Sequence, residues 1–241
     1  MRRYSPLALC PAIHEFNRSS IKTMELSYWH SRWINNRIGF HSAEVNPQLV
    51  RYSAQAGATP RSNVLVPLCG KSVDMKWLAD RGCHVTGVEA SELPCRSFFD
   101  EQGLEYTTSR EGAFTVYRSG SIAIWQGDFF KFPAAGNGTF DMVFDRAALV
   151  ALPAGKRAAY VQKTADLCKP GAQILLISYD YPPHDMPGPP FPVPESEIRS
   201  LYNGTMIPHL IEKEPVDPLP ARFVSRGLTS LHQLTFIIRR Q

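Results

Sequence analysis

A doubly wound α/β fold is what this sequence predicts, and three observations carry the prediction. From Met24 onward, helical and strand patterns alternate, as they do when helices cover both faces of a parallel sheet. Residues 63–103 run strand, turn, helix, strand, acid, helix, which is the order of a mononucleotide-binding half. A proline-rich stretch, YDYPPHDMPGPPFPVP at 179–194, follows directly on a strand, at the carboxyl edge where open α/β sheets hold their ligands.

The elements can be justified in order. Residues 1–23 carry Arg2, Arg3, Arg18 and Lys22 against the single acid Glu15, a bias shared by transit peptides, disordered tails and starts set too early. We read this stretch as a disordered N-terminal extension ahead of one domain at 24–241. In ELSYWHSRWINN, Leu26, Trp29 and Trp33 fall on one helical face, and the helix ends near Asn36. VNPQLVRYSAQAG is a second helix. The first strand covers 63–66, and a helix at 73–79 is closed by Gly82. A strand at 84–88 ends in Glu89, and a helix runs through Phe98 and Phe99 to Gly103. Further strands fall at 115–118, 122–125, 140–144 and 173–179, with a helix at 155–168 stopping at Lys169-Pro170-Gly171. A helix at 195–202 and a strand at 231–239 close the chain.

Composition narrows the classes. The 241 residues, 44% hydrophobic, can fill one core. No apolar run approaches the roughly 18 residues that cross a bilayer, and mean hydropathy is -0.20, so no membrane partner is expected. The net charge of +4 comes from dispersed basic residues rather than a stripe, which argues against nucleic acid. Cys10, Cys69, Cys83, Cys95 and Cys168 form no C-x-x-C pair and read as free thiols of a reducing compartment. The expectation is a cytoplasmic monomer. The histidines show no metal-binding spacing, so no metal is expected.

The turn after the first strand decides the ligand class. A dinucleotide fold uses G-x-G-x-x-G so that bare backbone can approach a pyrophosphate. Here Pro67-Leu68-Cys69-Gly70-Lys71-Ser72 keeps one glycine and sets Leu68 and Cys69 where phosphate would need room. Glu89 ends the second strand, where a carboxylate can accept both ribose hydroxyls. An adenosine held by its ribose without a pyrophosphate points to S-adenosylmethionine. Glu89 could equally be a strand-end acid facing solvent, and Gly70 an ordinary turn glycine. Asp128 in QGDFF follows a third strand, where it could meet an adenine amino group or cap a helix.

Five stretches carry a resemblance to a known family: WHSRWINNRIGFH, VLVPLCGKSVDMKWLADRG, VTGVEASE, FDMVFDRAALVAL and SYDYPPHDMPGPPFPVP. In order and spacing they resemble the thiopurine S-methyltransferase family over most of the chain. The resemblance implies S-adenosylmethionine-dependent methyl transfer to sulfur on a seven-stranded, mostly parallel Rossmann-like sheet, with an N-terminal helix as cover. It implies cofactor contacts at Trp29, Trp33, Phe40, Leu68, Gly70, Glu89, Asp128, Phe129 and Arg146. On the acceptor side it implies Phe40, Arg146, Pro190 and Phe191 within Gly188-Pro189-Pro190-Phe191, and Arg222 in PARFVSRG. Two departures stand out: Ala147 follows Arg146 where the family commonly has glycine, and residues 212–227 are similar only around Arg222 and Gly227.

The chemistry suits these residue types. When a sulfonium methylates a thiolate, both partners lose charge, so alignment and exclusion of water matter more than a strong base. His41 and Asp180 are candidate proton acceptors for less acidic thiols. The expected acceptor is a small thiol, aromatic, heterocyclic or aliphatic, or a selenium or tellurium compound. Alternatives are a halide-, thiol- or thiocyanate-type methyltransferase, a nicotinamide-dependent oxidoreductase, and a binding protein without turnover.

Overall fold

The computed structural model describes residues 26–134, 138–204 and 206–241; the expected extension at 1–23 lies outside them. Among the described residues nine strands form one sheet. They are β1 (Asn63–Pro67), β2 (His84–Glu89), β3 (Thr107–Glu111), β4 (Phe114–Ser119), β5 (Ile122–Gln126), β6 (Phe140–Arg146), β7 (Cys168–Asp180), β8 (Met206–Pro215) and β9 (His232–Arg240), in the spatial order β3-β4-β5-β2-β1-β6-β7-β9-β8. The five central strands β5, β2, β1, β6 and β7 are parallel to one another, whereas the pairs β3–β4, β4–β5, β7–β9 and β9–β8 are antiparallel.

The doubly wound α/β class is as expected, but the sheet has nine strands rather than seven. The two additions carry little sequence signal. β3 is TTSRE, polar and mostly exposed, with no apolar alternation to mark it. β8 is MIPHLIEKEP, an edge strand with prolines and a charged run, and prolines are tolerated at a sheet edge because nothing needs their missing donor. A third difference concerns Lys169-Pro170-Gly171. Instead of following the helix as a stop, these residues lie inside β7, where the register shifts between Phe140↔Cys168 and Met142↔Gln173. Such an irregularity absorbs a proline that regular pairing would reject.

Helices cover both faces. They are α1 (Leu26–Ile34), α2 (Pro47–Tyr52), α3 (Asp74–Asp80), α4 (Glu92–Glu101), α5 (Ala154–Leu167), α6 (Glu195–Tyr202) and the short α7 (Ala221–Val224). Asn46 caps α2 by accepting from the Gln48 and Leu49 amides. Gly82 follows α3 at φ 85°, the left-handed conformation that ends helices cheaply only in glycine.

Period-two alternation along the strands feeds two cores. Val64, Val66, Met142, Phe144, Leu175 and Ile177 face α2, α3 and α4 through Leu49, Met75, Leu78, Phe98 and Phe99. Leu65, Val143, Ile174 and Leu176 face α5 and α6 through Tyr160, Val161, Ile198 and Tyr202. Burial on both faces is why the central strands read as continuous apolar runs. The chain winds outward from β1 through β2 to β5, then crosses back to β6. The switch point between β1 and β6 therefore opens a crevice at the carboxyl edge.

One close approach fixes the first layers. A Cβ added at Gly87 in β2 would lie 2.6 Å from Cys69 Sγ and 2.8 Å from Met75 Sδ. Gly87→Ala is expected to cost about 1–3 kcal/mol of stability by overpacking. Adding Cys69→Ala should recover part of it, measured by urea unfolding of both variants. A neutral Gly87→Ala would mean that β2 and the turn after β1 are loosely packed.

Candidate active site

The carboxyl ends of β1, β2, β5, β6 and β7 surround a cavity of about 310 Å³, within the range of small-molecule sites (roughly 300–1,000 Å³). Its wall includes Trp29, Trp33, Phe40, Leu68, Gly70, Glu89, Asp128, Phe129, Arg146, Pro190 and Arg222. Those eleven residues were singled out in the sequence, and the structure brings them to one cavity. Phe191 does not line it: its amide donates to Val150 O at 2.7 Å and its ring lies 5.8 Å from the Arg157 guanidinium. Asp180 is also elsewhere, paired with Lys213 at 3.0 Å.

Glu89 is the anchor. The residue is 6% exposed; Oε2 accepts from the Gly70 amide at 2.9 Å and Oε1 from the Ser91 amide at 2.8 Å. Burial raises its pKa, and the hydrogen bonds from the backbone amides of Ser91 and Gly70 oppose the rise. An ionised carboxylate has about four acceptor positions, more than the Gly70 and Ser91 amides occupy. The same bond removes the Gly70 amide from any phosphate cradle. With Leu68 at φ 46° and Gly70 at φ 54°, the turn curls its backbone towards Glu89 rather than towards an anion.

Gly70 also makes room for the cover. An added Cβ would lie 2.9 Å from Trp33 Cζ2, so only glycine lets the indole rest on this turn. Trp29 and Trp33 meet the Phe40 ring edge-on, at centroid distances of 5.7 and 5.3 Å. Phe40 O accepts from Arg146 Nη1 at 2.9 Å, which ties the cover to the end of β6. Midway along α1, Ser91 Oγ and His30 Nδ1 are 2.7 Å apart.

On the opposite wall, Asp128 caps the 3₁₀ turn at Phe129–Lys131, accepting from the Phe130 amide at 3.0 Å. This is the capping geometry, and the residue still borders the cavity. Beneath the floor, Asp145 is fully buried and accepts from Tyr160 Oη at 2.7 Å and the Leu149 amide at 3.1 Å. Burial pushes its carboxyl up to about 6. These bonds hold the turn after β6, where Ala147 adopts φ 64°. A left-handed conformation at this position is the physical reason a glycine suits it.

The cavity is electropositive. Arg32, Lys71, Arg146, Lys156, Arg222 and Arg226 line it, against Asp74, Glu89 and Asp128. All three acids already accept hydrogen bonds within the protein, Asp74 from Asn46 N at 2.8 Å and Ser72 Oγ at 2.7 Å. His41 lines the same wall, and its pKa is lowered, first by burial and then by Lys71. Its imidazole is therefore neutral at neutral pH and able to accept a proton. Gly39 and Arg226 escaped the sequence reading. Arg226 lies four residues after Arg222 in PARFVSRG, a spacing that would have placed both on one helical face.

Comparison with known proteins adds identity to this geometry. The family model described as thiopurine S-methyltransferase matches residues 24–241. The chain belongs to the thiopurine S-methyltransferase family. The Pseudomonas putida F1 thiopurine S-methyltransferase is 41% identical over 217 residues, covering 90% of this chain and 100% of that protein. The Vibrio cholerae M66-2 thiopurine S-methyltransferase is 41% identical over 214 residues, covering 88% and 97%. Among solved structures, the Burkholderia thailandensis 1,6-didemethyltoxoflavin-N1-methyltransferase, which holds S-adenosylhomocysteine, aligns with TM-score 0.60 at 16% identity over 99% of this chain and 93% of that one. The Bradyrhizobium japonicum N-methyltransferase NodS aligns with TM-score 0.56 at 14% identity over 94% and 97%. At those identities the likeness is one of fold. As a member of its family, the chain is an S-adenosylmethionine-dependent methyltransferase. Among the described residues, no helix is long and apolar enough to cross a membrane.

Asp145 generates a pH prediction. Its folded pKa of about 6 lies above the ordinary carboxylate value near 3.9. Its contribution to stability is thus complete below the unfolded pKa and lost as pH rises through the folded one. Asp145→Asn should remove on the order of 2 kcal/mol of the stability change between about pH 4 and 7. Urea unfolding at both pH values checks it, and an unchanged difference would mean that Asp145 does not titrate there.

Proposed function

We propose that this methyltransferase moves the methyl group to the sulfur of a small, anionic thiol, aromatic or heterocyclic for preference. The observation that carries the reading is the arginine pair at the cover: Arg146 donates to Phe40 O, and the Arg222 side chain lies across Gly39, with its Cδ 3.2 Å from where a Cβ would stand. Two guanidinium groups beside an aromatic wall suit a flat thiolate and oppose a cationic amine.

The residues present fit the cofactor. Glu89 would hold the ribose through acceptor capacity that the Gly70 and Ser91 amides leave, Asp128 and Phe129 would border the adenine, and Trp29, Trp33, Leu68 and Gly70 would enclose the methionine end. Bound S-adenosylmethionine supplies an electrophilic methyl group on a sulfonium. The protein's own part is alignment and dryness. Trp29, Trp33 and Phe40 exclude water, so charges inside interact more strongly than in solvent. Arg146 and Arg222 lower the thiol pKa by proximity and present the thiolate. For less acidic thiols the neutral His41 can take the proton. Pro190 bounds the acceptor end. The absence of a nucleophile–base pair in this reading agrees with direct transfer, which needs no covalent enzyme intermediate.

A methylation assay by mass spectrometry tests the reaction, with an aromatic thiol, an aliphatic thiol, hydrosulfide, selenite, a phenol and an amine as acceptors. Product confined to sulfur and selenium is expected; preferential methylation of the amine or phenol would overturn the thiol assignment. Glu89→Ala should weaken S-adenosylmethionine binding in calorimetry, since it removes charge-assisted bonds of roughly 1.5–3 kcal/mol each. In the unaltered protein, affinity should fall as pH drops through the raised pKa of Glu89, because the protonated acid loses acceptor positions. Affinity unchanged by the substitution would remove Glu89 from the cofactor site.

A further inference from the structure

The connection between β8 and β9 touches both halves of the acceptor end. On one side Arg222 lies over Gly39 in the cover. On the other, Arg226 sends Nη1 to Pro189 O and Nη2 to Gly188 O, both at 2.9 Å. Its neighbours hold the same proline loop at further points. Thr229 donates to Asp185 Oδ2 through its hydroxyl at 2.7 Å and its amide at 3.3 Å. Gly227 passes so near the loop that a Cβ there would lie 2.9 Å from Asp185 O. Phe223, Leu228 and Leu231 bury against Tyr181 and Met186 in a small core of their own. The loop's next carbonyl, that of Pro190, is taken by Tyr181 Oη at 2.6 Å.

Unlike Gly227 and Thr229, Arg226 borders the cavity as well as bonding to its wall, and unlike Phe223, which also borders the cavity, it holds the loop by hydrogen bonds rather than by packing. Prolines 189 and 190 line the cavity, and neither has an amide with which to anchor itself. Their position depends on what donates to the carbonyls. A guanidinium is a rigid planar fork that can serve two carbonyls at once, which a lysine ammonium cannot do with the same geometry. The side chain is exposed, so it adds little to global stability.

We propose that Arg226 is a specificity-determining positioning residue, whose two-pronged grip on the Gly188 and Pro189 carbonyls sets the width of the acceptor end for flat aromatic thiols. This rests on the thiol reading given above. A small acceptor such as hydrosulfide needs no such wall and is indifferent to it.

The test uses the full-length protein and its Arg226→Ala and Arg226→Lys variants, with thiophenol and hydrosulfide as acceptors. Affinity for S-adenosylhomocysteine is read by calorimetry. Arg226→Ala should lower kcat/KM for thiophenol about tenfold, mainly through KM, with hydrosulfide turnover and S-adenosylhomocysteine affinity held within about twofold. Arg226→Lys should recover little, and added ethylguanidinium should restore part of the thiophenol activity of Arg226→Ala. Thr229→Val, which loosens the same loop away from the cavity, should shift selectivity in the same direction and keeps the test open if Arg226→Ala folds poorly. Equal losses on both acceptors, no loss on either, or full recovery with lysine would each overturn the proposal. If the unaltered protein binds S-adenosylhomocysteine but methylates neither acceptor, the thiol reading itself fails and takes this inference with it.

Discussion

The site depends on one buried carboxylate bonded to two backbone amides. Glu89 joins the turn after β1, through the Gly70 amide, to the start of α4, through the Ser91 amide. Burying a charge this deeply is unfavourable unless it is hydrogen-bonded, and the position at the end of a central strand supplies an amide to each oxygen. Other placements follow in sequence. The turn held by Glu89 presents Gly70 to Trp33, Trp33 and Trp29 meet Phe40, and the Phe40 carbonyl receives Arg146. A cover helix, a β1 turn and the end of β6 are thus joined by one series of contacts along the cavity.

The two strands flanking β1 carry a buried acid at or next to their carboxyl ends, and their surroundings give the two acids different work. Glu89 closes β2 with part of its acceptor capacity turned to the cavity. Asp145, in β6, spends its oxygens on Tyr160 and Leu149 beneath the floor. Burial raises both pKa values. The difference is access: one carboxylate can meet a ligand, and the other can only shape the turn that carries Arg146. Carboxylates on the two strands beside β1 therefore divide into one that faces the cavity and one that holds the scaffold.

Much of this was legible in the sequence for reasons that can be named. The central strands announce themselves because both faces are buried, which forces unbroken apolar runs such as VLV before Pro67 and MVF before Asp145. The ligand edge followed from strand direction alone, and the absence of a phosphate was readable in Leu68 and Cys69. Less legible were elements whose stability comes from partners rather than pattern. β3 and β8 are polar edge strands and exist because β4 and β9 offer them a ladder. Phe191 looked like a neighbour of Pro190 in every sense, yet its amide bond to Val150 turns the ring towards Arg157 instead. Arg226 was marked only by its four-residue spacing from Arg222, because its bonds go to main-chain carbonyls, which no side-chain motif encodes.

The edge strands have a consequence for life in concentrated solution. Among the described residues the nine-stranded sheet ends at β3 and β8, and a sheet edge offers amides and carbonyls that could template another chain. On one side the margin is TTSRE, short and polar; on the other it is MIPHLIEKEP, interrupted by Pro208, broken in register between Leu210 and Glu212, and lined by Glu212, Lys213 and Glu214. Arg51 of α2 further covers that second margin by pairing with Glu212. Both borders are poor templates for a tenth strand, so growth of the sheet into filaments is discouraged by the same polar residues that hid these strands in the sequence.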